Sequence, residues 1–269
     1  VSTLDPAPLY EVLRATLRDD RPVALATVTE GPGLGAKLLV RPDEPVVGTL
    51  GDPDLDRVVG RDALAELDAG LTATRHYGAR GEARERVVTV FIESFAPAPR
   101  MVIFGAVDFT AALARAGKLL GYRVTVCDAR AVFATRARFP MADEVVNEWP
   151  DRYLAGVADR LGPRDAVCVL THDAKFDVPA IVGAVATRVG YIGAMGSRRT
   201  HATRLERLRE AGLDEGELAR VMAPIGIDIG ARTPEETAIS ICAEIIAHRA
   251  GVAVPNLRDG AGPIHRPSA

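Results

Sequence analysis

Met101-Val-Ile-Phe-Gly-Ala-Val-Asp-Phe-Thr-Ala-Ala-Leu-Ala-Arg-Ala-Gly-Lys-Leu-Leu-Gly-Tyr-Arg-Val-Thr-Val-Cys127 is the stretch that decides the fold of this chain. Met101–Gly105 is apolar up to its glycine, as a strand covered on both faces must be. An Ala/Leu-rich run from about Phe109 to Leu120 reads as a helix, and Arg123–Cys127 as a second strand. A strand, a helix and a strand with no hairpin between them form a βαβ unit, whose strands lie parallel. The alternation continues toward the C-terminus. Glu144–Asn147 is a short strand, Asp151–Leu161 a helix, Ala166–Leu170 a strand, Val178–Thr187 a helix and Val189–Gly193 a strand. A helix-like run, Thr200–Ala211, comes next. Thr233-Pro-Glu-Glu236 combines an N-cap threonine, a first-turn proline and a glutamate three residues after the cap, and opens a last helix that runs to about Arg249. The pattern predicts an α/β fold, a Rossmann-like doubly wound parallel sheet over residues 101–250.

Upstream the pattern changes. Phe95-Ala-Pro-Ala-Pro-Arg100 is the candidate linker, because its prolines hold the chain extended. Before it, Pro6–Arg18 places Leu9, Val12, Leu13 and Leu17 at helical spacing. Pro22–Thr29, Ala36–Val40, Val46–Leu50 and Arg86–Ile92 read as strands, and Leu55–Ala69 as a helix. Residues 1–95 are therefore expected to form a smaller N-terminal α+β domain, and residues 251–269 a loosely ordered tail.

Composition narrows the function classes. The 269 residues carry a net charge of −3, with 48% hydrophobic and 26% charged residues, as expected of a globular protein rather than one dedicated to nucleic acid. No apolar stretch approaches the roughly 20 residues of a membrane span. The first residues are charged throughout and lack a signal-peptide core, so a cytoplasmic location is expected. Cys127, Cys168 and Cys242 have neither metal-ligand nor disulfide spacing and sit in apolar runs, as buried small side chains do.

Several segments could carry chemistry. Tyr191-Ile-Gly-Ala-Met-Gly-Ser-Arg-Arg199 runs from a strand end through Gly193 and Gly196 to Ser197, Arg198 and Arg199. Glycines permit close backbone approach, a serine can cap the helix, a helix N-terminus favours an anion, and arginines suit phosphate oxygens. That combination describes a phosphate cradle, although the same residues also fit a Gly-rich turn ahead of a solvated basic helix. The turn Gly105-Ala-Val-Asp108 retains the first glycine of a dinucleotide-binding turn and has Val107 where the second belongs. Asp128, at the end of the second strand, is placed to bond a ribose diol or simply to end the strand in a turn. Thr171, His172, Asp173 and Lys175 follow a strand at the sheet edge where ligands bind, with Asp177 expected to cap the next helix. Asp228, in Pro224-Ile-Gly-Ile-Asp-Ile-Gly230, is either exposed or buried against Arg198 or Arg199. No motif for hydrolase or kinase chemistry is present, and no catalytic residue is assigned.

Taken in order, Gly121-Tyr-Arg-Val-Thr-Val-Cys-Asp-Ala-Arg130, Arg138-Phe-Pro-Met-Ala-Asp-Glu-Val-Val146, Trp149-Pro150, the Thr171–Asp177 loop, the Tyr191–Arg199 cradle, Pro224–Gly230 and Thr233–Glu236 resemble the XdhC/CoxI family. These are xanthine dehydrogenase accessory proteins, also linked to carbon monoxide dehydrogenase maturation. The resemblance spans about residues 87–249. It implies a factor that binds the molybdenum cofactor, as molybdopterin or its dinucleotide, and assists its sulfuration and insertion into an apo molybdenum hydroxylase. It also implies a cysteine desulfurase as sulfur source and a homodimer. Gly105, Asp128, Thr171, His172, Asp173, Gly193, Gly196, Ser197, Arg198, Arg199 and Asp228 are the candidate cofactor-binding residues. Many members carry Ser-Gly-Gly-Cys where this chain has Val47-Gly-Thr-Leu-Gly-Asp52, and Gly-Ala-Gly-His where it has Gly105-Ala-Val-Asp108. The fold alone also accommodates an NAD(P)-dependent oxidoreductase or a regulatory nucleotide-binding module.

Overall fold

The computed structural model describes residues 6–82, 85–252 and 258. The chain forms two compact units, residues 1–97 and 98–269.

In the first unit, five antiparallel strands form one sheet: β1 (Val23–Glu30), β2 (Lys37–Val40), β3 (Val47–Thr49), β4 (Ala73–Tyr77) and β5 (Val88–Phe95), in the order β3-β2-β1-β5-β4. Both faces of β1 are apolar because both are covered. Ala24, Ala26 and Val28 pack in one cluster with Leu55, Val59 and Ala63 of α2 (Pro53–Ala69). Val23 and Leu25 pack in another with Leu9, Val12 and Leu13 of α1 (Pro6–Arg18). Leu17, expected on that same face, is exposed. Strand β4 escaped the sequence reading: Ala-Thr-Arg-His-Tyr is polar because it lies at the sheet edge with only Tyr77 buried.

The second unit contains the predicted doubly wound sheet. Its strands are β6 (Arg100–Phe104), β7 (Arg123–Cys127), β8 (Glu144–Val146), β9 (Ala166–Val169), β10 (Tyr191–Ala194) and β11 (Val221–Met222). All are parallel, in the order β11-β10-β9-β6-β7-β8. Counted within this unit, that is the 3-2-1-4-5-6 order of Rossmann sheets, with the order reversing between β6 and β9. Alternate residues serve opposite faces. Met101, Ile103, Val124 and Val126 pack with Leu113 of α3 (Asp108–Leu119) and with Ile241 and Ile245 of α8 (Pro234–Ala250). Val102, Phe104, Val167 and Val169 pack with Leu154 of α4 (Pro150–Val157), Ile181 of α5 (Ala174–Val185) and Leu208 of α6 (Arg198–Glu210). The short α7 (Glu215–Ala219) leads into β11, and neither was anticipated.

Three helix boundaries differ from expectation. Helix α4 ends at Val157 and continues as a 3₁₀ turn, Ala158–Arg160. Helix α5 begins at Ala174, so Asp173 is its cap and Pro179 lies inside it. Helix α6 begins at Arg198, immediately after its Ser197 cap. Among the described residues no helix is long and apolar enough to cross a membrane. Most of the expected tail, residues 251–269, falls outside the described residues.

Candidate ligand cleft

At the carboxyl edge of the parallel sheet, β10 passes through Met195 and Gly196 into α6. Gly196 has φ +144°, a conformation that favours glycine. The Ser197 hydroxyl accepts from the Thr200 amide at 3.1 Å, capping α6 as its position predicts. This turn opens on a cleft of about 500 Å³. Phe109, Met195, Ile225, Ile227 and Ile229 contribute apolar surface, while Ser197, Thr237, Ser240, Asp228 and His172 contribute polar groups. The cleft adjoins the reversal of strand order, where open α/β sheets hold their ligands.

The Pro224–Gly230 loop is fastened to α8 by buried polar bonds. The Gly226 amide donates to Glu244 Oε2 at 2.7 Å, and the Tyr191 hydroxyl donates to the same oxygen at 2.5 Å. Ser240 Oγ donates to the Ile227 carbonyl at 2.6 Å. Gly226 has φ +101°, and a Cβ there would lie 2.5 Å from Ser240 Oγ. Asp228 is exposed at the cleft, not buried, and accepts from the Gly230 amide at 3.3 Å.

A second network lies behind the cradle. The Thr171 hydroxyl donates to Asp177 Oδ1. Arg204 Nη2 donates to Asp177 Oδ2 at 2.8 Å and to the Met195 carbonyl at 2.7 Å. Thr171, Asp177 and Arg204 are all buried, and they tie the β9 end, α5 and α6 to the cradle. Asp177 therefore does not cap α5. That role belongs to Asp173, whose carboxylate accepts from the Lys175 amide and pairs with Lys175 Nζ at 3.0 Å. The Lys175 side-chain and backbone hydrogen bonds hold the Asp173 carboxyl below its usual range.

The first βα turn is closed by the protein's own groups. Gly105 has φ +106°, and a Cβ there would lie 2.7 Å from Thr171 Cγ2, so glycine is required by the neighbouring strand end. Asp128 Oδ2 accepts from the Ala106 amide at 2.8 Å, where a ligand phosphate would accept in a dinucleotide site. Arg130 donates to both Asp128 oxygens, at 2.9 and 2.7 Å, and Arg138 donates to the Ala106 carbonyl at 3.0 Å. Burial acts to raise the Asp128 carboxyl, but the Arg130 side chain and the two amide donors outweigh it and hold the group below its usual range. Asp128 therefore orders the turn, and its oxygens are already engaged by four donors.

The expected site residues thus separate into groups. Gly196, Ser197, His172 and Asp228 meet at the cleft. Asp128, Thr171 and Asp173 hold the surrounding loops by the bonds just described, and Gly105 makes room for Thr171. Gly193 is buried in β10, where a Cβ would collide with Ile225 Cδ1, so its bareness serves packing instead of ligand approach. Arg198 is half-buried at the start of α6, and Arg199 lines a neighbouring smaller cleft. Sequence reasoning missed Phe109, the three isoleucines and Arg204. Arg204 carried one signal, a place three residues before Arg207 in an arginine-rich helix, which puts the two on one side of α6. All three cysteines are buried. Burial raises the Cys127 thiol to about 12 and the Cys242 thiol to about 11.

These features define a two-unit α/β protein with an open cleft at the switch point of a Rossmann sheet. The family model for the XdhC Rossmann domain matches residues 101–245, more than half of the chain, and that for the XdhC and CoxI family matches residues 16–78. The chain belongs to the XdhC and CoxI family. It is 31% identical over 237 residues to the uncharacterized protein YqeB of Escherichia coli (strain K12), covering 84% of this chain and 43% of that protein. It is 34% identical over 170 residues to a probable xanthine dehydrogenase subunit of Bacillus subtilis (strain 168), covering 63% and 49%. It is also 34% identical over 99 residues to the molybdenum cofactor insertion chaperone PaoD of Escherichia coli (strain K12), covering 37% and 31%. The chain spans less than half the length of each of these curated relatives. A crystal structure of a xanthine dehydrogenase from Bacillus halodurans shares the fold at a TM-score of 0.52 and 21% identity, covering 90% of this chain and 95% of that one.

Proposed function

We propose that this chain is a maturation factor that holds the molybdenum cofactor and delivers it to the apo form of a molybdenum hydroxylase. The observation that carries this reading is the cleft at the β10–α6 turn, which combines an apolar wall with a capped helix N-terminus. A phosphorylated pterin has both halves of the matching chemistry: a flat ring system for Phe109, Met195 and the isoleucines, and a phosphate for the Gly196–Ser197 turn. The similarity to PaoD supports the choice of cargo.

In this reading the chain's own residues bind and orient. Ser197 and the α6 N-terminus hold the phosphate, His172, Asp228 and Thr237 hydrogen-bond the ring edge, and the Pro224–Gly230 loop covers one side. The cofactor supplies the molybdenum centre of the target enzyme. The family resemblance implies a partner cysteine desulfurase as the sulfur source, and the buried thiols of this chain, with their raised pKa values, are poor carriers. The nicotinamide alternative is disfavoured by the engaged Asp128 and by Val107 at the first turn.

Titration of the protein with released molybdenum cofactor, and separately with NADH, tests the proposal. Wild-type protein is expected to bind the cofactor, and Ile229→Glu to weaken binding by about tenfold or more through a charge placed in the apolar wall. Ile229 is 49% exposed, so the variant keeps its fold. Cofactor binding unchanged by Ile229→Glu, or NADH binding without cofactor binding, would overturn it.

A further inference from the structure

Beside the main cleft, α5 and α6 enclose a second one of about 260 Å³. The first turns of both helices line it, through Ala174 of α5 and Arg199 and Thr200 of α6. Arg204 and Arg207 line it from farther along α6. Its titratable groups are Arg199, Arg204, Arg207, Asp177 and His172, so three guanidinium charges face one carboxylate. Asp177 occupies only part of that charge, because it bonds Arg204 through Nη2 alone. The other terminal nitrogen of Arg204, Nη1, is buried and has no hydrogen-bond partner among the described residues. Arg204 is 3% exposed, so this is a buried cationic donor left unmatched in the cleft wall. Such a donor costs free energy unless something accepts from it.

We propose that this second cleft is a phosphoryl-binding subsite. Two helix N-termini supply amide dipoles, Arg204 supplies the buried donor, and Arg199 and Arg207 supply charge at the mouth. Thr200 and Thr203 add hydroxyls that suit tetrahedral oxyanions. His172 lines both clefts, so a phosphoryl group here sits next to whatever occupies the main one. The group is either the distal phosphate of a ligand that straddles the α6 N-terminus or a separate phosphate ion. The inference rests on residues outside the apolar wall and extends the cofactor reading without requiring it.

Calorimetric titration with orthophosphate and with pyrophosphate, in chloride at fixed ionic strength, tests this without any pterin. Arg207→Ala is the informative variant, because Arg207 is exposed and lines only the second cleft of the two. Binding is expected to weaken by about tenfold in Arg207→Ala and to be partly retained in Arg207→Lys. Pyrophosphate binding well above orthophosphate, with the difference erased by Arg207→Ala, identifies the distal phosphate of a larger ligand. Equal affinities, both lowered by the variant, identify a separate ion. Affinities that are the same in wild type and Arg207→Ala, or no binding of either anion at millimolar concentration, would overturn the subsite. The cofactor proposal is decided apart from this, by the Ile229→Glu titration.

Discussion

The β6–α3 and β10–α6 turns start from the same plan and end in opposite states. Each leaves a buried strand of one parallel sheet, passes a glycine with positive φ (Gly105 or Gly196) and enters a helix of twelve or thirteen residues. At the first, Asp128 accepts from the Ala106 amide, Arg130 covers Asp128 and Arg138 takes the Ala106 carbonyl. The second faces a cleft, while its supporting bonds run behind it through Arg204 and Asp177. Within one fold, a turn whose polar groups are met by neighbouring side chains becomes a fastening. A turn supported from behind and open in front keeps its cleft accessible.

The largest effect should come from removing the support behind the open turn. Arg204→Met strands the buried Asp177 carboxylate and frees the Met195 carbonyl, with an expected loss of about 3–5 kcal/mol in urea unfolding. A loss below about 1 kcal/mol would show that the network does not carry the cradle. Opening the closed turn should cost less. Asp128→Asn weakens the grip on Ala106 and Arg130, with an expected loss of about 2 kcal/mol at pH 7. Because the folded carboxyl lies below its usual range, its contribution is complete above its unfolded pKa of about 4 and disappears as pH falls through the folded value. The gap between wild type and Asp128→Asn should therefore narrow below about pH 4, and a gap that stays constant would contradict the assignment. Smallest is Asp173→Ala, which removes the exposed α5 cap and should lower the thermal unfolding midpoint less than either of the other two variants.

The two turns also mark what a sequence can disclose. Strand periodicity placed β6, β7, β9 and β10 within a residue or two, because strands buried on both faces must be apolar throughout. The Ser197 cap was equally legible, since its role depends on local spacing. Asp128 and Gly193 were harder to place. A carboxylate at a strand end looks the same whether it awaits a ribose or an arginine, and Arg130 is decisive only through its folded geometry. Gly193 sits in a glycine-rich motif, yet the group pressing on it is Ile225, thirty-two residues away. Edge strand β4 and the cap of α5 failed for related reasons. Exposed edges carry no hydrophobic pattern, and Pro179 imitates a first-turn signal inside α5.

The central claim is that the ligand meets the β10–α6 turn and not the β6–α3 turn. Hydrogen–deuterium exchange of the protein with and without released molybdenum cofactor tests it most directly. The account predicts added protection at residues 195–201 and 225–231, with residues 104–107 and 128–130 unchanged. Protection confined to 104–107 and 128–130 would contradict it and return the site to the first turn.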